Sequence, residues 1–249
     1  MLVQTGKMAT LGEMATGIAH ELNQPLNVIK IGADFLLKTL RKGELPTADQ
    51  LRQIGERMND GTDRAARIIN HLRVFGRKAD ESMIPLQVNN PIRGVFTLVG
   101  SQLKERGIRW DLELKDDIPY IMGDANRLEQ VFMNLVLNAR DAILENEKNL
   151  TKQGKKPEKS LRIRSYDKDG RVVVTVWDTG TGVPPHLRAK IFEPFFTTKK
   201  VGEGTGIGLS ISYGIIREHN GSIEALGEKG EGAVFKVVFP ALDKNEVDR

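Results

Sequence analysis

Cysteine is absent from the 249 residues, which excludes a disulfide framework, a thiol nucleophile and any cysteine-ligated zinc. No run of about 18 consecutive apolar residues occurs, so no membrane-spanning helix is expected. The opening Met1-Leu2-Val3-Gln4-Thr5-Gly6-Lys7 lacks the apolar stretch of a secretory signal. Without such a signal the sequon Asn149-Leu150-Thr151 would not meet the glycosylation machinery. These absences lead to the expectation of a cytoplasmic chain with no membrane contact. The net charge of +4 raises nucleic acid as a partner, but the basic residues are not arranged for it. Many fall in the stretch Lys148 to Arg164, which contains Gly154 and Pro157 and reads as a mobile surface insertion. Others alternate with acids, as in Arg52, Glu56, Arg57 and Asp60, the pattern of a solvated helix face.

The length suits one large domain or two of moderate size, and 39% hydrophobic content is enough to build cores. Two long amphipathic segments come first, from about Val3 to Lys42 and from about Thr47 to Arg77, with Gly43 and Pro46 marking the turn between them. In the first, apolar residues recur at Leu11, Ala15, Ile18, Leu22, Leu26, Ile29, Ala33, Leu36 and Leu40, a coiled-coil-like stripe. In the second they stand at Leu51, Ile54, Met58, Ala65, Ile68, Leu72 and Phe75. At 1.5 Å per residue the first helix would run about 60 Å, a length that fits an antiparallel hairpin. One hairpin leaves its stripe half exposed. Pairing two copies into a four-helix bundle covers it, so a homodimer through residues 1–80 is expected.

Within the first helix His20 and Glu21 lie off the apolar stripe, since His20 is two residues from both Ile18 and Leu22. A lone surface histidine beside a glutamate is usually no more than a solvated pair. Its weight here depends on the motifs in the C-terminal two thirds of the chain.

Near Lys78-Ala79-Asp80-Glu81-Ser82 the helical period stops, and residues 81–249 read as alternating strands and helices. The pattern predicts a strand over 84–88, then a helix with Asn90 as cap and Pro91 in its first turn, carrying Ile92, Val95, Phe96, Val99 and Leu103 inward. Strand 108–114 comes next, then a helix opened by Asp124 and running to about Asn146. A hairpin of 161–166 and 171–178 turns at Asp169-Gly170, and strands at 221–225 and 233–239 complete an α+β layer, a mixed sheet with helices on one face.

Three motifs in this second part point to a nucleotide. Asn134 and Asn138 share one face of an apolar helix, with Asp141 following on it. Such amides are costly unless satisfied, either by structural partners or by a hydrated Mg²⁺ with nucleotide phosphates. Val176-Trp177-Asp178-Thr179-Gly180-Thr181-Gly182 ends a strand in an acid and alternating glycines. That lets a flat ring approach the backbone while the carboxylate accepts from an exocyclic amine, although a plain Asp-Gly turn reads the same. Gly202-Glu203-Gly204-Thr205-Gly206-Ile207-Gly208 runs into an apolar helix, where backbone N–H groups can cradle phosphate. It fits neither a P-loop nor a Rossmann turn, because Phe192-Glu193-Pro194-Phe195-Phe196-Thr197-Thr198-Lys199 precedes it in place of a strand. That segment reads as a lid, with Lys199 placed to reach phosphate oxygens.

Taken in order, these segments closely resemble the catalytic region of the sensor histidine kinases of two-component signalling, in the HELNQPL-type subgroup. The phosphoacceptor motif is His20 to Leu26, the N box Asn134 to Ala142, the first glycine box Asp178 to Gly182, the F box Phe192 to Phe196 and the second glycine box Gly202 to Gly208. The resemblance implies a helical hairpin in a dimeric four-helix bundle, residues 1–80, followed by a Bergerat-type α+β sandwich that binds ATP, residues 81–249. It implies phosphorylation of His20 and transfer to an aspartate of a response regulator receiver domain. Catalytic roles pass to His20, Glu21 and Gln24, and nucleotide contacts to Asn134, Asn138, Arg140, Asp141, Asp178, Gly180, Gly182, Lys199, Gly204, Thr205, Gly206 and Gly208. Mg²⁺ would be held by Asn138 and Asn134.

Chemistry agrees with these roles. Neutral imidazole is a nucleophile at physiological pH, and Glu21 can hold the second ring N–H. In the wider superfamily that includes gyrase, a glutamate at the position matching Asn134 activates water, whereas an amide is no base. Two departures stand out. Asp141 occupies a place where many members carry lysine or arginine. Gln24 stands where members that also dephosphorylate the regulator have threonine or asparagine. The chain begins in the first helix, so a fragment with a sensor domain N-terminal to it is expected. The competing readings are a dimeric scaffold without chemistry and an ATPase clamp. The remaining histidines, His71, His186 and His219, need only capping or solvation.

Overall fold

The computed structural model describes residues 2–75, 83–199, 206–227 and 231–242, and side chains in the first two helices at 22–62 and at Ala65. The chain divides into two compact units, Met1–Arg77 and Lys78–Arg249.

The first unit is a helical hairpin of α1, Leu2–Arg41, and α2, Ala48–Phe75. Gly43 takes the left-handed conformation, φ +73°. Its N–H donates to Leu40 O and that of Glu44 to Thr39 O, the double bond of a Schellman stop. Thr47 and Gln50 then form a reciprocal capping box that starts α2. The helices touch closely where residues are small: a Cβ on Gly61 would lie 3.1 Å from Pro25 O, and one on Gly32 would lie 2.8 Å from Met58 Cγ. Pro25 is buried, whereas Leu26 and Leu40 of the predicted stripe stay exposed, as does Leu37 beside it.

The second unit begins with β1, Ile84–Leu86, and α3, Asn89–Glu105. The expected Asn90 cap does not form. Val88 holds the cap position without a side-chain bond, and Asn89 lies buried, donating to Lys115 O while accepting from Ser165 Oγ. The five predicted inward residues of α3 are all buried. Strand β2, Arg109–Leu114, is followed by a short β3, Ile121–Gly123, which the sequence pattern did not reveal; it pairs with β1 in a separate ribbon. Asp124 caps α4 by accepting from the N–H groups of Asn126 and Arg127, and the helix runs Ala125–Lys152. The supposed insertion from 148 to 164 is therefore mostly regular structure, with only 153–159 between α4 and the next strand.

Strands β4, Ser160–Lys168, and β5, Arg171–Asp178, turn through Asp169 and Gly170, both at positive φ, which suits a hairpin. Helix α5, Gly208–Glu218, and strands β6, Ser222–Leu226, and β7, Ala233–Pro240, complete the unit. The sheet order is β2-β4-β5-β7-β6, with β2 and β4 parallel and the other pairs antiparallel. Leu128, Phe132, Leu135 and Ile143 of α4 and Leu161, Ile163, Val174, Val176 and Phe235 of the sheet are buried and belong to the core, each side chain contributing about 1.5–3 kcal/mol by burial. The opposite face carries Glu113, Arg162, Arg164, Glu224 and Lys236 in cross-strand ion pairs. The mixed sheet covered on one face agrees with the sequence expectation. Among the described residues no helix is long and apolar enough to cross a membrane.

Candidate active site

Strand β5 delivers Asp178 into the interior, where only 1% of its surface is exposed. Its Oδ1 accepts the N–H of Gly180 at 2.7 Å. Burial pushes the carboxyl up to about 6, against the opposing pull of the Gly180 and Ala233 N–H groups. A carboxylate buried beyond the donors it has is suited to accept one more from a ligand.

The glycine turn after Asp178 lies directly on α4. A Cβ at Gly180 would come within 2.5 Å of Ala142 Cβ, so only glycine permits the contact. Asn146, one turn further along α4, donates through Nδ2 to Thr179 O at 3.0 Å and to Gly180 O at 3.2 Å. From the other side Thr179 Oγ1 accepts the Ser160 N–H and donates to Glu158 O. Gly182, φ +71°, continues the turn. Gly232 closes it from β7: at φ +90°, a Cβ there would stand 2.0 Å from Asp178 O. Asn146 and Gly232 were not singled out in the sequence. Glycine spacing in Gly230-Glu231-Gly232 was a faint signal for the second, and nothing local marked the first.

Asn134 donates through Nδ2 to Gly208 O at 3.1 Å and to Ser212 Oγ at 3.3 Å. It thereby ties α4 to the start of α5. Half of the structural alternative for the two amides thus holds for this residue. Its carbonyl oxygen, the atom a cation would take, has no donor among the described residues, and Asn138 makes no side-chain hydrogen bond among them. These free amide oxygens on one helix face fit a hard cation with phosphate. Helix α5 starts at Gly208 with no side-chain cap, leaving N–H groups of its first turn for an anion.

Arg140 and Asp141 form a contact with Lys199 from the segment before the second glycine box. Asp141 Oδ1 accepts from Arg140 Nε at 2.9 Å and Nη2 at 2.6 Å, and Oδ2 accepts from Lys199 Nζ at 2.6 Å. Burial alone would raise the Asp141 carboxyl. The bond and charge of Lys199, followed by those of Arg140, outweigh it and hold the group below the usual carboxylate range. In the same segment Phe195 has φ +64°, rare for an aromatic residue, and a Cβ on Gly206 would meet Phe195 C at 2.4 Å. Phe192 packs against Tyr213 of α5, ring centroids 5.8 Å apart.

The second unit therefore gathers Asn134, Asn138, Arg140, Asp141, Asp178, Gly180, Gly182, Lys199, Gly206 and Gly208 around α4 and the start of α5. Gly204 and Thr205 lie outside the described residues. In the first unit α1 carries His20, Glu21 and Gln24; the side chains of His20 and Glu21, like that of His71, lie outside the described residues, and Gln24 is half-buried. His186 is exposed in a short 3-10 turn. His219, for which capping or solvation was expected, stands at the C-cap of α5 but is only 3% exposed, and its Nε2 accepts the Asp124 N–H at 3.0 Å.

Residues 123–243 match the family described as histidine kinase-, DNA gyrase B- and HSP90-like ATPase. Residues 10–81 match the histidine kinase A phosphoacceptor domain. Two-component sensor PprA of Pseudomonas aeruginosa is 37% identical over 239 residues, covering 96% of this chain and 25% of PprA. The chain thus spans about a quarter of that relative. The catalytic domain of histidine kinase ThkA is 32% identical, with a TM-score of 0.53 over 64% of this chain and 96% of that one. ThkA in complex with response regulator protein TrrA gives a TM-score of 0.71 at 27% identity, covering 96% of this chain and 64% of that one. With a phosphoacceptor helix pair ahead of an ATPase-type sheet bearing an amide-lined helix and a buried strand-end aspartate, the chain belongs to the sensor histidine kinases of two-component systems.

Proposed function

We propose that this chain uses ATP to phosphorylate His20 and passes the phosphoryl group to an aspartate of a response regulator. The observation that carries the reading is the pairing, in one chain, of a phosphoacceptor helix with an undersatisfied Asp178 and the free amide oxygens of Asn138 and Asn134. In this reading residues 81–249 bind the nucleotide, with Asp178 accepting from the adenine amine and Gly180 and Gly182 admitting the ring. The N–H groups at Gly208 take phosphate oxygens, together with the second glycine box that includes Gly204, Thr205 and Gly206. Mg²⁺ would be held by Asn138 and Asn134 and, when bound, neutralises charge on the phosphate oxygens.

An imidazole nitrogen of His20 attacks the γ-phosphorus. The N–P bond forms as the bond from phosphorus to the β,γ-bridging oxygen breaks, and ADP leaves with that electron pair. Glu21 accepts the N–H of the other ring nitrogen and stabilises the imidazolium that develops. Gln24, one turn on, could orient water for the reverse task of dephosphorylating the regulator; a regulator phosphate lifetime unchanged by this protein would remove that role.

Two exposed apolar strips on α1 support the partners. Leu26, Leu37 and Leu40 lie along one side, and a second copy of residues 1–80 would cover them. Sedimentation as a dimer at micromolar concentration is expected. Val28, Ile31 and Phe35 follow His20 and Gln24 at spacings that return to their face, and Ile31 is 69% exposed. An apolar surface beside the phosphorylated residue suits a receiver domain, and the ThkA complex with TrrA is a relative's example of such a partnership. In this reading the kinase core works in the cytoplasm.

The test is incubation with Mg-ATP labelled at the γ-phosphate, comparing the chain with His20→Ala. Acid-labile, base-stable label that the substitution abolishes is expected. ATP binding without any label would favour a scaffold, and steady phosphate release independent of His20 an ATPase.

A further inference from the structure

Asp141 is the least expected member of the site. It is an anion on the helix face that also presents Asn134 and Asn138, where the proposed ligand is itself a polyanion. Left alone it would repel phosphate. Its charge is instead met by three charge-assisted hydrogen bonds, two from Arg140 and one from Lys199, all at 2.6–2.9 Å.

An ordinary surface ion pair contributes little and fixes no element in place. These groups differ in two respects. Their side chains are only 27–33% exposed, so water screens them less than a solvated pair. Lys199 also comes from 58 residues away in sequence, so the contact fixes one element on another. The backbone on either side is organised for it: the Lys199 N–H donates to Thr197 Oγ1 at 3.1 Å, and Phe195 is held at positive φ with its backbone against Gly206. Arg140 and Asp141 are adjacent in the helix and do not face each other by register, so the guanidinium must fold round to reach the carboxylate.

We propose that Asp141 is a positioning residue that competes with nucleotide phosphate for Lys199 and Arg140, so that ATP enters by an exchange of anions at these two cations. This deepens the ATP-site reading and rests on it. In the free protein the carboxylate cancels one of the two positive charges and pins the segment ending at Lys199 to α4. The cluster remains net cationic and still attracts a polyphosphate. When phosphate arrives, Lys199 leaves Asp141 and the segment from Phe192 to Lys199 is released to follow the ligand. Affinity and segment order are coupled through one carboxylate, and a neutral residue at position 141 uncouples them.

The experiment compares the whole chain with Asp141→Asn, Lys199→Met and the double substitution. Without nucleotide, hydrogen exchange of 192–199 is expected to rise on Asp141→Asn and by a similar amount on Lys199→Met. Titration with Mg-ATP is expected to show tighter binding by Asp141→Asn, by roughly tenfold for the loss of one competing charged acceptor. In the Lys199→Met background the share of that gain that runs through Lys199 disappears, and only the share that runs through Arg140 remains. A residue that only supports the fold would weaken binding and would show no such dependence on Lys199. Binding that Asp141→Asn weakens or leaves unchanged, or a gain that persists undiminished without Lys199, overturns the proposal. If the wild-type chain binds no Mg-ATP, the ATP-site reading fails and takes this proposal with it. Normal wild-type binding combined with an unresponsive Asp141→Asn overturns this proposal alone.

Discussion

His219 accepts the backbone N–H of Asp124 through Nε2 at 3.0 Å, which makes a buried ring at the end of α5 part of the start of α4. The other ring nitrogen, Nδ1, lies 2.7 Å from Ile215 O, so the neutral tautomer with hydrogen on Nδ1 satisfies both contacts. A Cβ on Gly123 would stand 2.9 Å from His219 Cδ2, so glycine there is what lets the ring lie so close to the backbone.

Burial holds the His219 pKa below its ordinary value, with the Ile215 carbonyl acting in the opposite direction. Above the unfolded value, about 6.5, both states are neutral and the full contribution to stability is present. As pH falls through that value toward the folded one, the unfolded chain gains a proton that the folded chain refuses, and stability is lost. His219→Gln keeps an acceptor for Asp124 without a titrating ring. The melting midpoint of the wild type is expected to fall more steeply than that of His219→Gln between pH 7.5 and 5. His219→Ala, which orphans the Asp124 N–H, is expected to cost about 1–3 kcal/mol at pH 7.5.

Asp178 acts with the opposite sign. Its folded pKa is about 6 against an ordinary 3.8, so its contribution to stability is greatest below the lower value and is lost as pH rises through the higher one. A difference of about 2 units corresponds to about 3 kcal/mol of destabilisation at neutral pH. Asp178→Asn keeps an oxygen for the Gly180 N–H and removes the buried charge. We expect it to raise the unfolding free energy by about 2 kcal/mol at pH 7.5, with the gain vanishing near pH 4, as followed by urea denaturation at the two pH values. In the proposed ATP site the same substitution would turn a donor toward the adenine amine, so ATP binding is expected to be lost from a more stable protein.

Gly232 and Gly154 both have positive φ, but only one is crowded. Nothing lies within 4 Å of a Cβ at Gly154, whereas one at Gly232 would overlap Asp178 O at 2.0 Å. Gly154→Ala is expected to cost about 1 kcal/mol from backbone strain alone. Gly232→Ala must also displace β7 from the end of β5, and a loss above about 3 kcal/mol or failure to fold is expected. Denaturant midpoints for the pair separate conformational cost from crowding.

These contrasts mark what could be read from sequence. Asp124 was legible as a cap, and Asp169-Gly170 as a hairpin turn, because one or two side chains decide each within a few residues. The shared face of Asn134 and Asn138 follows from helical geometry alone. Asn90 was plausible as a cap by type, but Val88 holds that position, and the neighbouring Asn89 is drawn inward to Ser165, 76 residues away. Strand β3 has three residues, too few to show a period. His219, Gly232 and Asn146 act through partners distant in the chain, and beyond the faint glycine spacing at Gly230 and Gly232 no local pattern marks them. The pairing of Lys199 with Asp141 belongs with them: the sequence offered Lys199 to phosphate but contained nothing to say what holds it beforehand.

Asn146 separates support of the site from chemistry. Its amide donates to two consecutive carbonyls, Thr179 O and Gly180 O, and so sets the height of the turn on which the adenine would lie. Asn146→Ala leaves both carbonyls without that donor but touches neither the phosphate region at Gly208 nor the amides of Asn134 and Asn138. The expected outcome is a KM for ATP raised by about 5- to 30-fold, the equivalent of about 1–2 kcal/mol for the two lost bonds, with the rate of His20 phosphorylation at saturating ATP close to wild type. Asn146→Asp, which offers no donor and adds a charge beside two carbonyl oxygens, is expected to raise KM further. A fall in the saturated rate with KM unchanged would instead place Asn146 in the phosphoryl transfer step, against its proposed place on the adenine side of α4.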